Sequence, residues 1–263
     1  MKNDINENKA LSQTSVMVSA VDNLKLLLSQ PDESVDLIYC DILYGTGKDF
    51  MDYKDLYPMR EIIEEHYLPR IKEMHRVLKS TGSIYLQMDY RIIHWVRCMM
   101  DDIFGYNNFR NEIIWYYHSG GAPKKNYAKK HDNILFYTKT NKYIFNFDVI
   151  RIPYPPKSLE RLKYSCHGSK WDLERGKCCD DVWEISILST ANKERNGYNT
   201  QKPKALIERL IKASSNEGDT VADYYLGSGT TAVVCKELNR NFIGCDINPK
   251  AIEITNSRLE AVS

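Results

Sequence analysis

The chain has 263 residues, 43% of them hydrophobic, with 36 Lys+Arg against 35 Asp+Glu. That length fits one large α/β domain with an insertion or two small domains, and the apolar share supports an ordinary core. Balanced charge singles out no partner, and no run approaches the ~18 apolar residues of a membrane helix, which excludes a helical span. The polar start "MKNDINENKALSQ" lacks the apolar heart of a signal peptide, and the seven cysteines show no CxxC spacing. Reduced thiols and a cytoplasmic protein are therefore expected. Cys166-His167 and Cys178-Cys179 match no common zinc spacing, so no metal site is expected.

In chain order, "TSVMV" reads as a strand and "VDNLKLLLSQ" as a helix. "VDLIYC" is a continuous apolar run of strand length, the pattern of a parallel strand covered on both faces. It delivers Asp41, Tyr44, Gly45 and Gly47 to one spot. "LYPMREIIEEHYLPRIKEMHRVLK" has helical periodicity, with a kink or break expected at Pro69. "GSIYLQMD" predicts a strand and "YRIIHWVRCMMDDIF" a helix. "NEIIWYYH" and "HDNILFYTK" are strands flanking the loop "SGGAPKKNYAKK". From Tyr143 to Thr200 the pattern is irregular. Then come the helix "KPKALIERLIKASS", with Pro203 in its first turn, the strand "DTVADYY", the turn and helix "GSGTTAVVCKELN", the strand "RNFIGCDI" and a last helix from Asn248.

Charge is uneven along the chain. From Trp115 to Asp180 there are 13 Lys+Arg against 6 Asp+Glu, leaving 23 against 29 elsewhere, and the same stretch holds 12 aromatics, Tyr127, Tyr164 and Trp171 among them. Basic and aromatic residues interleaved in this way suit a polyanion with stackable bases; a solvated, Tyr-rich insertion is the alternative.

The segment "VADYYLGSGTTAVVCKELNRNFIGCDIN" is strand, Gly-rich turn, helix, strand and acid. Gly227 and Gly229 allow close backbone approach, Ser228, Thr230 and Thr231 are placed to cap the helix, and Asp246 is placed to accept from ribose hydroxyls. Ala232 takes the place of a third fingerprint glycine and there is no Walker lysine. NAD and ATP are thereby disfavoured, and an adenosyl ligand without a phosphate to cradle is favoured.

At these residues the chain resembles a known family. "TQKPKALIERLIKASSNEGDTVADYYLGSGTT" with "RNFIGCDINPKAIE" is similar to the cofactor half of S-adenosylmethionine-dependent DNA amino-methyltransferases. The catalytic strand comes first and the Gly-rich loop last, as in the permuted β-class enzymes of restriction-modification systems. "LKSTGSIYLQMD", "FRNEIIWYYHSGG", "FDVIRIPY" and "DVWEIS" extend the resemblance over nearly the whole chain. It implies a Rossmann-like methyltransferase fold, α/β, with a mostly parallel twisted sheet and helices on both faces. A single catalytic domain spans residues 15–263, with an irregular target-recognition region inserted at 118–200 and a flexible start at 1–14.

The resemblance implies S-adenosyl-L-methionine as cofactor, held by Asp223, Tyr225, Gly227, Ser228, Gly229, Thr230 and Asp246. Asp22 falls near the adenine, and Thr200, Gln201 and Lys202 close over the methionine end. The motif usually written Asp-Pro-Pro-Tyr maps onto Asp41-Ile42-Leu43-Tyr44. It implies that Asp41 and the Ile42 carbonyl accept the two amino N–H groups of a flipped base while Tyr44 stacks on it. An acid at 41 resembles the adenine-N6 subgroup more than the cytosine-N4 one. Lys124, Lys125, Lys129 and Lys130 are expected near phosphates of duplex DNA. A cognate restriction endonuclease and a homodimer are further partners the resemblance suggests.

The sequence also departs from the pattern. Ile42 and Leu43 replace both prolines, Gly45 a common asparagine, Tyr224 a proline, Tyr225 a phenylalanine and Asn199 a histidine. Losing two prolines frees φ and restores two N–H groups that need partners. Three readings stand: an adenine-N6 methyltransferase with a less pre-organised site, a catalytically impaired DNA-binding or partner subunit on the same fold, and cytosine-N4 or RNA amino methylation.

Overall fold

The computed structural model describes residues 14–50, 53–118, 121–164, 173–198 and 200–262. The start at 1–14 falls outside them except for Thr14, as do Cys166, His167, Trp171 and Asn199.

Among the described residues, one sheet of eight strands organises the chain: β1 (Val16–Ala20), β2 (Val35–Asp41), β3 (Leu78–Met88), β4 (Phe109–Tyr116), β5 (His131–Thr138), β6 (Val182–Glu184), β7 (Thr220–Asp223) and β8 (Asn241–Asp246). Their order is β1-β8-β7-β2-β3-β5-β4-β6. Only β5 runs against the rest, paired antiparallel with β3 and β4. The continuous apolar run of β2 takes the centre because both its faces are covered. Leu37 and Tyr39 enter one core, and Ile38 and Cys40 the other.

Helices α1 (Asn23–Ser29), α2 (Arg60–Val77) and α3 (Ile93–Phe104) pack on one face through Leu27, Ile63, Ile71, Met74, Val96 and Met100. On the other face, α5 (Lys204–Ser214), α6 (Thr230–Glu237) and α7 (Pro249–Glu260) bring Leu206, Leu210, Val234 and Ile252. Between these two sets in the chain lies α4 (Pro156–Lys163). The α/β class, the mostly parallel sheet and the helices on both faces are those expected from the sequence.

Two local expectations are corrected. Of the kink or break expected at Pro69, the break does not occur: α2 runs on through it. The one carbonyl it leaves without a helical partner belongs to exposed Glu65, where water can serve. The helix after the Gly-rich turn is not capped by Ser228, Thr230 or Thr231. Its N-cap is Gly229, at φ 74°, with no side-chain cap bond. The threonine hydroxyls are used elsewhere, as described below.

Among the described residues no helix is long and apolar enough to cross a membrane. Within 118–200, β5 and β6 are integral sheet strands and α4 is a helix, so the range is not irregular throughout.

Candidate functional site

The sheet decides where the site lies. β2 ends in Asp41, β7 in Asp223 and β8 in Asp246, so three carboxylates reach the same carboxyl edge from neighbouring parallel strands. This is the edge at which open α/β sheets bind ligands. All three line one cavity of about 490 Å³, together with Asp22, Tyr44, His66, Lys202, Tyr225 and Gly227.

Asp41 stands at the end of a fully buried strand, its own side chain 19% exposed. Its Oδ2 is ion-paired with the Lys202 ammonium. Its Oδ1 lies 2.9 Å from the Tyr44 hydroxyl, which is also 2.6 Å from Oδ2 of Asp132. The Gln87 amide donates to the Tyr44 oxygen and to the same Asp132 oxygen, both at 3.2 Å, while Tyr39 donates to Oε1 of Gln87 at 2.8 Å. The Tyr117 hydroxyl donates to Oδ1 of Asp132 at 3.1 Å. Burial pushes the Asp41 carboxyl above its ordinary value, the Lys202 ammonium pulls it down, and nearby Asp132 pushes it up again. Burial and the two carboxylates raise the Tyr44 phenol far up, so it is a neutral donor.

The turn that replaces the two prolines is held by bonds instead of rings. The Ile42 N–H donates to the Gln87 carbonyl at 3.1 Å, adding one rung beyond the β2–β3 pairing. The Ile42 side chain is 3% exposed and belongs to the core. Tyr67 donates to the Leu43 carbonyl at 2.9 Å. Buried Asp55 accepts from the N–H groups of Gly45 at 3.1 Å, Thr46 at 2.8 Å and Leu56 at 2.8 Å, and from the Thr46 hydroxyl. Gly45 is required at φ 65°, because a Cβ there would come within 2.7 Å of Ile92.

The Gly-rich turn is tied from both ends. Asp246 accepts the Gly227 N–H through Oδ2 at 2.9 Å and the Asn248 N–H through Oδ1 at 2.8 Å, which fixes the carboxylate in the cavity wall. Asp223 accepts the Thr231 hydroxyl at 2.6 Å and the Tyr225 N–H at 3.0 Å. Burial raises its carboxyl from 3.8 to about 7. A Cβ at Gly229 would lie 2.3 Å from Thr255 Oγ1, so α6 and α7 can close only over a glycine. Arg258 donates to the Ser228 carbonyl at 2.6 Å and to Thr230 Oγ1 at 3.1 Å.

Asp22 is the N-cap of α1, accepting from Leu24 and Lys25, and its second oxygen meets Arg70 at 3.1 Å. Nearby, the Tyr225 hydroxyl meets His66 Nε2 at 3.1 Å. Burial, and then the Arg70 charge, lower the His66 ring to about 4, so it is neutral. Gln201 stitches its own loop, donating to the Glu194 carbonyl at 2.8 Å and accepting from Asn196 N–H at 2.9 Å. Thr200, Gln201 and Lys202 all line the cavity.

An adenosyl-type group fits these surroundings. The cavity is of nucleoside size, glycine leaves the wall open at position 227, and aromatic Tyr225 and His66 line it together with acidic Asp22 and Asp246. No cluster of His, Cys, Asp or Glu suited to a metal ion occurs among the described residues.

Residues 35–257 match the N6_N4_Mtase family, described as DNA methylase. The chain belongs to this family of DNA methylases. It is 38% identical to the Type II methyltransferase M.HpaI of Haemophilus parainfluenzae, over 90% of this chain and 72% of that one. With the DNA adenine methyltransferase YhdJ of Escherichia coli K12 it shares 33% identity, over 92% and 82% of the two chains. Among solved structures the fold is similar to PvuII DNA methyltransferase (cytosine-N4-specific), with a TM-score of 0.68, 16% identity and coverage of 94% and 86%. The M1.HpyAVI–SAM complex is similar at a TM-score of 0.60 and 20% identity, covering 93% of this chain and all of that one.

In this methylase the basic loop lies at the same sheet edge as Asp41. β5 starts at His131 and pairs Asn133 with Met88, and Asp41 pairs with Gln87, so Lys129 and Lys130 emerge at the carboxyl end of β3. Lys124, Lys125 and Lys129 are exposed. The Lys129 ammonium sits 3.7 Å from the Tyr90 ring centroid, and Lys130 donates to the His118 carbonyl at 3.4 Å. Asp132, Gln87, Asp55 and Arg70 were not singled out from the sequence. A readable signal existed for Gln87, a polar residue inside an otherwise apolar strand run.

Proposed function

We propose that this chain transfers a methyl group to the exocyclic N6 of an adenine flipped out of duplex DNA, with S-adenosyl-L-methionine as donor. The observation that carries the reading is the shared cavity: Asp41 and Tyr44 open onto the same space as Gly227, Asp223 and Asp246. When bound there, S-adenosylmethionine supplies an electrophilic methyl on sulfur.

The protein's task is positioning. An adenine amino nitrogen is a poor nucleophile because its lone pair is spread into the ring. Asp41 accepts one amino N–H and the Ile42 carbonyl the other, favouring a pyramidal nitrogen and stabilising its developing positive charge. Tyr44, anchored by its hydroxyl, offers its ring to the flipped base. Lys202, 5.4 Å from that ring's centroid, favours the ionised form of Asp41 through their ion pair. Asp22 and Asp246, with Tyr225, suit the adenosine end of the donor; Ser228, Gly229 and Thr230 shape the turn; and Thr200, Gln201 and Lys202 suit the methionine end.

Adenine is favoured over cytosine by the acid at 41 and by the similarity to an enzyme named for adenine. The motif order supports the permuted β-class arrangement. The irregular parts of 118–200, with Lys124, Lys125, Lys129 and Lys130, form the DNA-facing region of the domain spanning 15–263. A restriction endonuclease of matching target, a homodimer and a cytoplasmic location go with this reading.

The test is to incubate the protein with methyl-labelled donor and random-sequence duplexes, then identify the modified nucleoside by mass spectrometry. N6-methyladenine is expected. N4-methylcytosine would replace the base assignment. Absence of label with donor binding intact would leave the non-catalytic DNA-binding reading.

A further inference from the structure

The Tyr44 hydroxyl carries one hydrogen yet lies within bonding distance of two carboxylates, 2.9 Å from Asp41 Oδ1 and 2.6 Å from Asp132 Oδ2. A phenol donates once. The shorter contact directs that hydrogen to Asp132. Once Asp41 takes up a proton, the Asp41 contact is satisfied as well, giving the chain Asp41–H to Tyr44–H to Asp132. Gln87, 0% exposed, braces the far end by donating to both the Tyr44 oxygen and Asp132, and its own carbonyl is fixed by Tyr39. Asp132 is itself 6% exposed, and its three hydrogen-bond donors, Tyr44, Gln87 and Tyr117, are all neutral.

Resting on the methyltransfer reading above, we propose that Asp132 acts through Tyr44 as a positioning residue that receives the proton leaving the methylated amine. The balance is simple. The amino N–H bond breaks, its electron pair stays on nitrogen, and an O–H bond forms at Asp41 Oδ1. As that proton passes to the Tyr44 oxygen, the Tyr44 proton passes to Asp132 Oδ2. Nitrogen loses its positive charge, Asp132 loses its negative one, and Asp41 is again ionised.

The charged and titratable surroundings suit this direction. Lys202, ahead of α5, favours the ionised form of Asp41, whereas Asp223 at the end of β7, once ionised, faces it as a like charge. Asp132 faces Tyr117 past β4 and Asp89 past β3, and no described cation bonds to it. The like charge of Asp132 acts on Asp41 in the direction that holds a proton.

The experiment compares wild type with Asp132→Asn, Asp132→Glu and Tyr44→Phe in single-turnover transfer to random-sequence duplexes from acid to alkaline pH. In parallel, carboxyl titration of aspartate-labelled free protein is followed by NMR. Asp132→Asn is expected to slow transfer about tenfold or more, to move the acid limb of the rate to lower pH, and to lower the Asp41 titration. Asp132→Glu is expected to recover part of the rate and Tyr44→Phe to lose it. A slowed Asp132→Asn with an unmoved acid limb and an unmoved Asp41 titration would reduce Asp132 to a structural role and overturn the proposal. The titration is read without turnover, so it judges the carboxylate pair even if wild type labels no DNA, an outcome that would instead remove the methyltransfer reading.

Discussion

Lys202 and Asp41, 161 residues apart in sequence, form an ion pair inside the cavity, and the same ammonium lies 5.4 Å from the Tyr44 ring centroid. The chain closes this contact because α5 begins just beyond Lys202, with Pro203 at its cap one residue ahead of the expected first turn. The pair favours the ionised form of Asp41, and its removal has a definite sign. Without the cation, burial and Asp132 outweigh the remaining Tyr44 hydrogen bond, so its carboxyl rises further. In Lys202→Met the acid limb of the methylation rate should therefore move to higher pH, with single-turnover transfer at neutral pH reduced about tenfold or more. A pH–rate profile that overlays wild type would show that Lys202 does not govern Asp41.

Restoring the family's prolines should not improve the protein. Ile42→Pro deletes the bond from the Ile42 N–H to the Gln87 carbonyl and withdraws a side chain from the core. A loss of about 2 kcal/mol is expected from the bond and the packing together. Urea unfolding measures it, and a more stable or faster Ile42→Pro would contradict the account of this turn.

Gly229→Ala places a Cβ 2.3 Å from Thr255 Oγ1 at a backbone φ of 74°. α6 and α7 would have to part. The expected cost is about 1–3 kcal/mol, with donor affinity falling more than DNA affinity. Gly121→Ala, where a Cβ meets nothing within 4 Å, is the matched control.

Asp223 makes stability depend on pH. Its folded value of about 7 lies above the ordinary 3.8, so the folded protein holds a proton that the unfolded chain releases between them. The associated stabilisation is fully present below 3.8 and is lost as pH rises through about 7. Its full size is on the order of 4 kcal/mol. Unfolding free energies at a series of pH values should fall across this window, and Asp223→Asn should flatten the fall. An unchanged slope in that variant would assign the dependence to other groups.

Alanine at Lys124, Lys125 and Lys129 together is expected to weaken binding to all duplexes alike and to flatten its salt dependence, each phosphate contact contributing about one unit of slope. Filter binding across salt concentrations reads this directly. A loss confined to one sequence would assign these lysines to base readout.

The architecture was legible because its signals are local. "VDLIYC" could only be a doubly covered strand, and the Gly-rich turn with Asp246 at its distance announced a ligand edge. The ordered motifs then placed both halves on one sheet, and the α/β expectation stands. What stayed hidden depended on partners far along the chain. Nothing around Lys202 shows that its ammonium ends on Asp41, and nothing around Asp132 shows that it meets Tyr44, 88 residues earlier. Cap assignments failed for a related reason. Thr231 has a capping side chain, but buried Asp223 claims its hydroxyl and Gly229 takes the cap.

The extra rung at Ile42 changes what the position after Asp41 has to be. In a proline-built turn the residue is chosen for its ring. Here the backbone donor is committed to β3 and the side chain is sunk in the same apolar core as Ile63 and Ile92. Position 42 is thus answerable to its packing neighbours: any residue with an N–H and a matching apolar volume can hold Asp41 in place. Substitutions at Ile63 or Ile92 should therefore be felt in the orientation of a carboxylate that neither of them touches.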